Sequence, residues 1–218
     1  ALAADAERGA PYGLLVFGPG ACAKFRLQRQ LEGKSDGMSD GIATRGNMKI
    51  YLAGPDIFRP DVQEWIANAR ELCRQHGFEA LTPFDHGETE LRKILEGNLE
   101  LIRKAQIVVA NLNPFRGFEP DSGAAFELGY ALALGKKLWA YVDSAEPLLE
   151  RIRRIEALSP EAMRDSHDMA IEDFGLPLNL MLALSAHLVE GDLLACLSAI
   201  RPRTTTSPQA ATVMTVTE

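Results

Sequence analysis

The sequence predicts an α/β fold, a doubly wound parallel sheet with helices on both faces, and three observations carry that prediction. Short apolar runs at residues 49–53, 78–82, 107–112 and 138–142 alternate with longer segments whose apolar residues recur at helical spacing. Breakers punctuate the alternation, with Gly54-Pro55 closing the first run, Gly77 closing the helical segment after it and Pro83 closing the second run. A chain of 218 residues, 46% apolar and 24% charged, fits one globular domain with a sizeable core better than two large ones. A strand-helix alternation of this kind implies parallel strands joined by right-handed crossovers.

In chain order, residues 1–47 are rich in glycine and turn formers and read as an irregular N-terminal extension, with a short strand possible only at 12–17. The folded unit is expected at 48–201. Over residues 60–76, Val62, Trp65, Ile66, Ala69, Leu72 and Cys73 form one apolar face, and Pro60 is compatible with a first turn. A second helix is predicted over 90–105 from Leu91, Ile94, Leu95, Leu99, Leu101 and Ile102. A long loop, 113–122, leads to a helix over 123–134. Beyond the fourth strand, 148–158 reads as a helix carrying Arg151, Arg153 and Arg154, and 159–173 as a polar loop or irregular helix. Residues 176–188 are apolar around Asn179 and read first as core or subunit interface. Residues 191–200 form a last helix, and 202–218 are expected to be a disordered tail.

Charge and cysteine usage exclude several classes of function. A formal net charge of −7 leaves no basic face for nucleic acid or an acidic membrane surface. Cys22, Cys73 and Cys196 are scattered, without metal-site or disulfide spacing, so a reducing cytoplasm is the expected compartment. No apolar run reaches the roughly 18–20 residues that a bilayer span requires.

The stretch most suggestive of chemistry is Pro120-Asp121-Ser122-Gly123-Ala124-Ala125-Phe126-Glu127-Leu128-Gly129-Tyr130. Pro120 prevents helical entry, Asp121 or Ser122 can cap the free N–H groups, and the small residues at 123–125 let a ligand sit on the first turn below Glu127. The helix dipole is expected to keep the Glu127 carboxylate ionised, which suits a nucleophile. Ligands of parallel α/β sheets bind beyond the carboxyl ends of the strands, where Tyr51, Asp85, Asp121 and Glu127 can converge. Each residue also has a plainer reading. Glu127 could lie on a solvated helix face, Asp121 could serve only as a cap, and Tyr51 could be a core aromatic. Asp85 and His86 could be ordinary turn residues.

Four motifs in order sharpen the choice. Lys49-Ile50-Tyr51-Leu52-Ala53-Gly54-Pro55, Asn111-Leu112-Asn113-Pro114-Phe115-Arg116-Gly117, the stretch from Pro120 to Ala131, and Phe174-Gly175-Leu176-Pro177-Leu178-Asn179-Leu180-Met181 together resemble the signature of nucleoside 2-deoxyribosyltransferases. The Pro-Phe-Arg-Gly loop at 114–117 resembles the parasite-type members more than the lactobacillus type. The resemblance implies a flavodoxin-like fold of about five strands, no cofactor and no metal. It also implies base exchange between a 2′-deoxyribonucleoside and a free nucleobase. It assigns Glu127 as the nucleophile at C1′, Tyr51 as the tyrosine that positions it, and Asp121 as the carboxylate that holds the sugar hydroxyls. Asn179 and Met181 match residues supplied by a neighbouring subunit, which implies a homo-oligomer with shared active sites.

Gly54, Phe58, Asp85, Asn98 and Gly123 complete the expected substrate-binding set, with Phe58 and Phe84 as candidates to sandwich the base. Asn98 stands where some members carry an Asp, and an amide cannot protonate a departing base, so Asp85 or a water is the expected donor. Two rival functions remain open from the sequence. One is a 2′-deoxynucleoside 5′-monophosphate N-glycosidase using Arg59, Arg116 and Ser122 for the phosphate; the other is a nucleoside-binding module without catalysis.

Overall fold

The computed structural model describes residues 48–200. The expected N-terminal extension, with its possible strand at 12–17, and the expected tail at 202–218 lie outside the described residues. In chain order the elements are β1 (Met48–Ala53), a short 3-10 helix (Pro55–Phe58), α1 (Val62–Gln75), β2 (Phe78–Leu81), α2 (Leu91–Lys104), β3 (Ile107–Asn111), α3 (Ser122–Ala133), β4 (Lys137–Val142), α4 (Leu148–Ile155), α5 (Leu180–Ser185), β5 (His187–Glu190) and α6 (Leu193–Ile200). All strand pairings are parallel, and the order is β2-β1-β3-β4-β5. This is the flavodoxin-like order, whose switch point lies between β1 and β3.

Strand alternation assigns the two faces. Tyr51, Ala53, Val108, Ala110, Leu138 and Ala140 pack with Leu101 and Ile102 of α2, Leu128 and Ala131 of α3, and Ala183 of α5. Ile50, Leu52, Ile107, Val109 and Val189 point the other way, onto Ala69 and Cys73 of α1 and Leu193, Cys196 and Leu197 of α6. The central strands β1 and β3 are thus apolar on both sides, as helices covering both faces require. A smaller cluster joins Leu148, Leu149 and Ile152 of α4 to Ile171, with Phe118 and Leu158 against it.

Two elements differ from the expectation. The apolar stretch 176–188 contains the six-residue α5, and the four-residue edge strand β5 begins one residue after it. Only Leu188 and Val189 of that strand are buried, so its period-2 pattern is too short to register as a strand. The turn after β1 winds into a 3-10 helix led by Pro55, a residue whose fixed φ favours the first helical position.

Polar groups tie the carboxyl edge of the sheet together. Asn111 at the end of β3 donates from Nδ2 to Asp56 Oδ2 at 2.8 Å, and its Oδ1 accepts from the backbone N–H of Asn113 at 3.1 Å. Asn113 in turn accepts the Asp143 N–H at 2.7 Å, beyond β4. The first turn after β1 therefore hangs from the ends of β3 and β4. Arg151, 4% exposed, donates to the carbonyls of Phe118, Glu146 and Pro177. It joins the loop before α3 to the segment before α5.

Leu128 is completely buried between α3 and the sheet. Leu128→Ala is expected to lower stability by about 2–5 kcal/mol through lost burial and an unfilled cavity, seen in urea unfolding as a lower midpoint with an unchanged slope.

Candidate active site

The site forms at the switch point, where β1 and the helix after β3 meet. Tyr51 lies on the β1 face that packs against α2 and α3, and it is 0% exposed. A buried phenol requires a partner, and Tyr51 donates its hydroxyl to Glu127 Oε1 at 2.6 Å. Asn98 on α2 approaches the same oxygen, with Nδ2 at 3.4 Å. The three side chains come from β1, α2 and α3, at positions far apart in the sequence.

Burial, not the helix dipole, dominates the ionisation of Glu127. Its carboxyl is pushed up to about 7, chiefly by burial, with the Tyr51 hydrogen bond opposing the rise and the Asp121 charge adding to it. The expectation of a dipole-held carboxylate is therefore revised. Glu127 is the sixth residue of α3, past the first turn whose free N–H groups would favour the anion. The Tyr51 hydroxyl is held far above its ordinary range, first by burial and then by the Glu127 charge, so it remains a hydrogen-bond donor.

Asp121 occupies the N-cap of α3 and accepts the Ala124 N–H on Oδ2 at 2.9 Å. Its Oδ1 accepts no hydrogen bond among the described residues. Gly123 matters for a geometric reason, because a Cβ there would lie 2.9 Å from the capping oxygen. Gly54, at φ 148°, closes β1 where a Cβ would sit 2.7 Å from Asn111 Cβ, so the turn and the Asn111 side chain can coexist only with glycine.

The remaining candidates are distributed differently. Asp85 follows β2 and is engaged on both oxygens, by the Thr82 N–H at 2.9 Å, by the Thr82 hydroxyl at 3.1 Å and by Arg70. Its charge still reaches Tyr51. Phe58 stacks on Phe115, with ring centroids 5.4 Å apart and planes 11° from parallel, and the Arg116 guanidinium lies 5.0 Å and 4.6 Å from the two ring centroids. Phe58 and Phe84, the two rings expected to flank a base, are both exposed.

Of the cations weighed for a phosphate, Arg59 is held in a two-pronged pair by Asp61 and Arg116 sits over the rings. Asn179 caps α5, accepting the Met181 N–H at 3.0 Å and donating to Glu172 Oε1 at 2.7 Å. Met181 is 74% exposed. No hydrogen bond among the described residues links Asn179 or Met181 to Tyr51, Asp121 or Glu127.

From sequence, His86 reads as an ordinary turn residue. Its Nε2 lies 3.1 Å from Asn98 Oδ1, and its Nδ1 accepts the Glu88 N–H at 3.0 Å. The available sequence signal was Gly97, an unusual residue inside a helix, where a Cβ would come within 2.6 Å of the imidazole. Among the described residues, no group of three or more His, Cys, Asp or Glu side chains is gathered to hold a metal ion, and no helix is long and apolar enough to cross a membrane.

The Glu127 ionisation has a consequence for stability. A carboxyl whose folded value lies above its ordinary one contributes stability at low pH that is lost as pH rises from about 4.5 through about 7. Glu127→Gln removes that loss while retaining an oxygen for Tyr51. The variant is expected to unfold at higher temperature than the parent at about pH 8, with the gap closing towards about pH 4. Calorimetric scans across pH check this.

Comparison with known proteins agrees with this architecture. A family model described as nucleoside 2-deoxyribosyltransferase matches residues 50–181, a span holding every candidate residue named above. A solved 2-deoxyribosyltransferase from Leishmania mexicana is similar at 33% identity and a TM-score of 0.60, over 70% of this chain and 95% of that one. A 2-deoxyribosyltransferase from Bacillus psychrosaccharolyticus matches at 22% identity and a TM-score of 0.43, over 66% of this chain and 87% of that one. An uncharacterized protein of Schizosaccharomyces pombe is 30% identical over 156 residues, which are 61% of this chain and 74% of that protein. With the family match extending over more than half of its length and the fold and site already in place, the chain belongs to the nucleoside 2-deoxyribosyltransferase family.

Proposed function

We propose that this protein exchanges the bases of 2′-deoxyribonucleosides through a covalent deoxyribosyl ester on Glu127, with net retention at C1′. The observation that carries the reading is the 2.6 Å hydrogen bond from a fully buried tyrosine to a helical carboxylate at the switch point. Such a contact fixes one oxygen of Glu127 and leaves the other for attack. In the first step Glu127 Oε2 bonds to C1′ as the C1′–N bond breaks, and the electron pair leaves with the base through an oxocarbenium-like state. A second base then attacks C1′ from the face the first one left, the C1′–Oε2 bond breaks to release Glu127 as a carboxylate, and the N–H proton given up by the incoming base balances, through water, the one taken up by the departing base. Two inversions give retention. The absent 2′-hydroxyl removes an electron-withdrawing group and eases formation of the cationic state.

Tyr51 holds the nucleophile and, as the ester forms, continues to donate to its carbonyl side. Asp121 serves the sugar. One of its oxygens caps α3, and the other receives a hydroxyl of the deoxyribose lying over Gly123. The exposed side chain of Met181, together with Asn179, is assigned to the site of a neighbouring subunit in a homo-oligomer. Residues 48–201 make up the catalytic domain in this reading, with a cytoplasmic place in nucleoside salvage.

The deciding experiment incubates the protein with deoxyinosine or thymidine and a free second base, and follows new nucleosides by chromatography, with the 5′-monophosphates run in parallel. Exchange on the nucleosides is the expected result. Release of free base from monophosphates alone would replace this reading with a nucleotide N-glycosidase. Glu127→Ala is expected to lose exchange by at least about 10⁴-fold while keeping the circular dichroism of the parent. Mass spectrometry of acid-quenched parent enzyme should find deoxyribose on the peptide carrying Glu127. Because only the ionised carboxylate attacks, kcat/KM is expected to climb with pH and reach half its plateau at about 7.

A further inference from the structure

Beside the Tyr51–Glu127 contact runs a second chain of hydrogen bonds, and its direction can be read from one backbone group. The Glu88 N–H can only donate, and it lies 3.0 Å from His86 Nδ1. Nδ1 is therefore the acceptor, and the imidazole carries its hydrogen on Nε2. Nε2 lies 3.1 Å from Asn98 Oδ1, so the amide presents its oxygen to His86 and its NH₂ group to the opposite side. On that side Nδ2 meets Glu127 Oε1 at 3.4 Å. An amide free to flip could turn its oxygen towards the carboxylate, where two acceptors would repel.

The imidazole is itself held by packing. It lies on the backbone of α2 at Gly97, where a Cβ would be 2.6 Å from Cγ, 2.7 Å from Cδ2 and 2.8 Å from Cβ of His86. A glycine inside a helix costs about 1 kcal/mol relative to alanine, and here it is what admits the ring. Backbone donor, ring, amide and carboxylate thus form a continuous line into the site.

We propose that His86 is a positioning residue that locks the Asn98 amide with its NH₂ group facing Glu127 and the departing base. The inference rests on the transferase reading above and deepens it. One N–H of Asn98 steadies the nucleophile. The other makes no hydrogen bond among the described residues and is available to an acceptor atom of the base. Negative charge developing on the base as the C1′–N bond breaks is then met by a fixed N–H donor, without proton transfer from Asn98. Bases offering an acceptor beside the glycosidic nitrogen are favoured accordingly.

The test is a double-mutant cycle on the full chain, read as kcat and KM for base exchange, with His86→Phe filling the ring's place over Gly97 without its nitrogens. His86→Phe is expected to lower kcat by about tenfold, the scale of one lost hydrogen bond, with KM nearly unchanged. In an Asn98→Ala background the same change should cost nothing further. His86→Gln, which again offers an N–H towards Asn98, should restore most of the lost kcat. Imidazole ¹⁵N shifts of the parent should report hydrogen on Nε2. An unchanged kcat in His86→Phe, an equal loss in both backgrounds, or hydrogen on Nδ1 would overturn the proposal. If His86→Phe does not fold, the His86→Gln kinetics and the ¹⁵N shifts still decide. A parent protein that exchanges no bases would instead sink the transferase reading, whereas the ¹⁵N measurement tests the lock itself.

Discussion

The hydrogen bond between the Tyr51 hydroxyl and the Glu127 carboxylate is the contact around which the rest of the molecule is arranged. It joins the first strand to a helix residue 76 positions later and places an ionisable group in a half-buried position. Keeping a carboxyl there is costly, since burial raises its proton affinity to the neighbourhood of neutrality. The sheet makes this possible. With β1 between β2 and β3 and both of its faces covered, Tyr51 cannot swing away, so the phenol reaches Glu127 with little conformational freedom to lose.

Around that contact the donors are graded. Tyr51 is the short, fully buried partner, Asn98 the longer one, and Asp121 a nearby negative charge that works against ionisation of Glu127. Asp121 is in turn occupied at the helix mouth, where a glycine at 123 makes room for its capping oxygen. In the nucleophilic role proposed for it, Glu127 must be neither too well solvated nor too firmly protonated, and its neighbours hold it near that balance.

Much of this was legible in the sequence, for identifiable reasons. Residues 50–53 and 107–110 are short apolar runs followed closely by breakers or a loop, and their shortness and flanks favour a buried strand over a buried helix. Asp121 with small residues after it reads directly as a capped helix start. Tyr51 and Glu127 could be paired only because the topology sends β1 and the helix after β3 to the same switch point. The strand His187–Glu190 escaped because four residues beside a short helix carry too little periodicity. The ionisation of Glu127 escaped because burial depends on Tyr51, α2 and α3 packing together, and no local pattern records that. His86 escaped because its partners are a backbone N–H two residues on and an amide on the next helix. A turn residue acquires such partners only once the loop is folded.

Arg151 ties the loop that leads to Asp121 to the segment that leads to Asn179. One guanidinium satisfies carbonyls at 118, 146 and 177, so the loop leading into α3 and the segment leading into α5 share a single anchor. The Tyr51–Glu127 contact rests on β1 and α3, while the segments around Phe118 and Pro177 are held by one side chain. If the exchange proposed above takes place here, breadth of accepted bases and speed of bond breaking are separable traits, the first adjustable in the segments that Arg151 holds and the second set where Tyr51 meets Glu127.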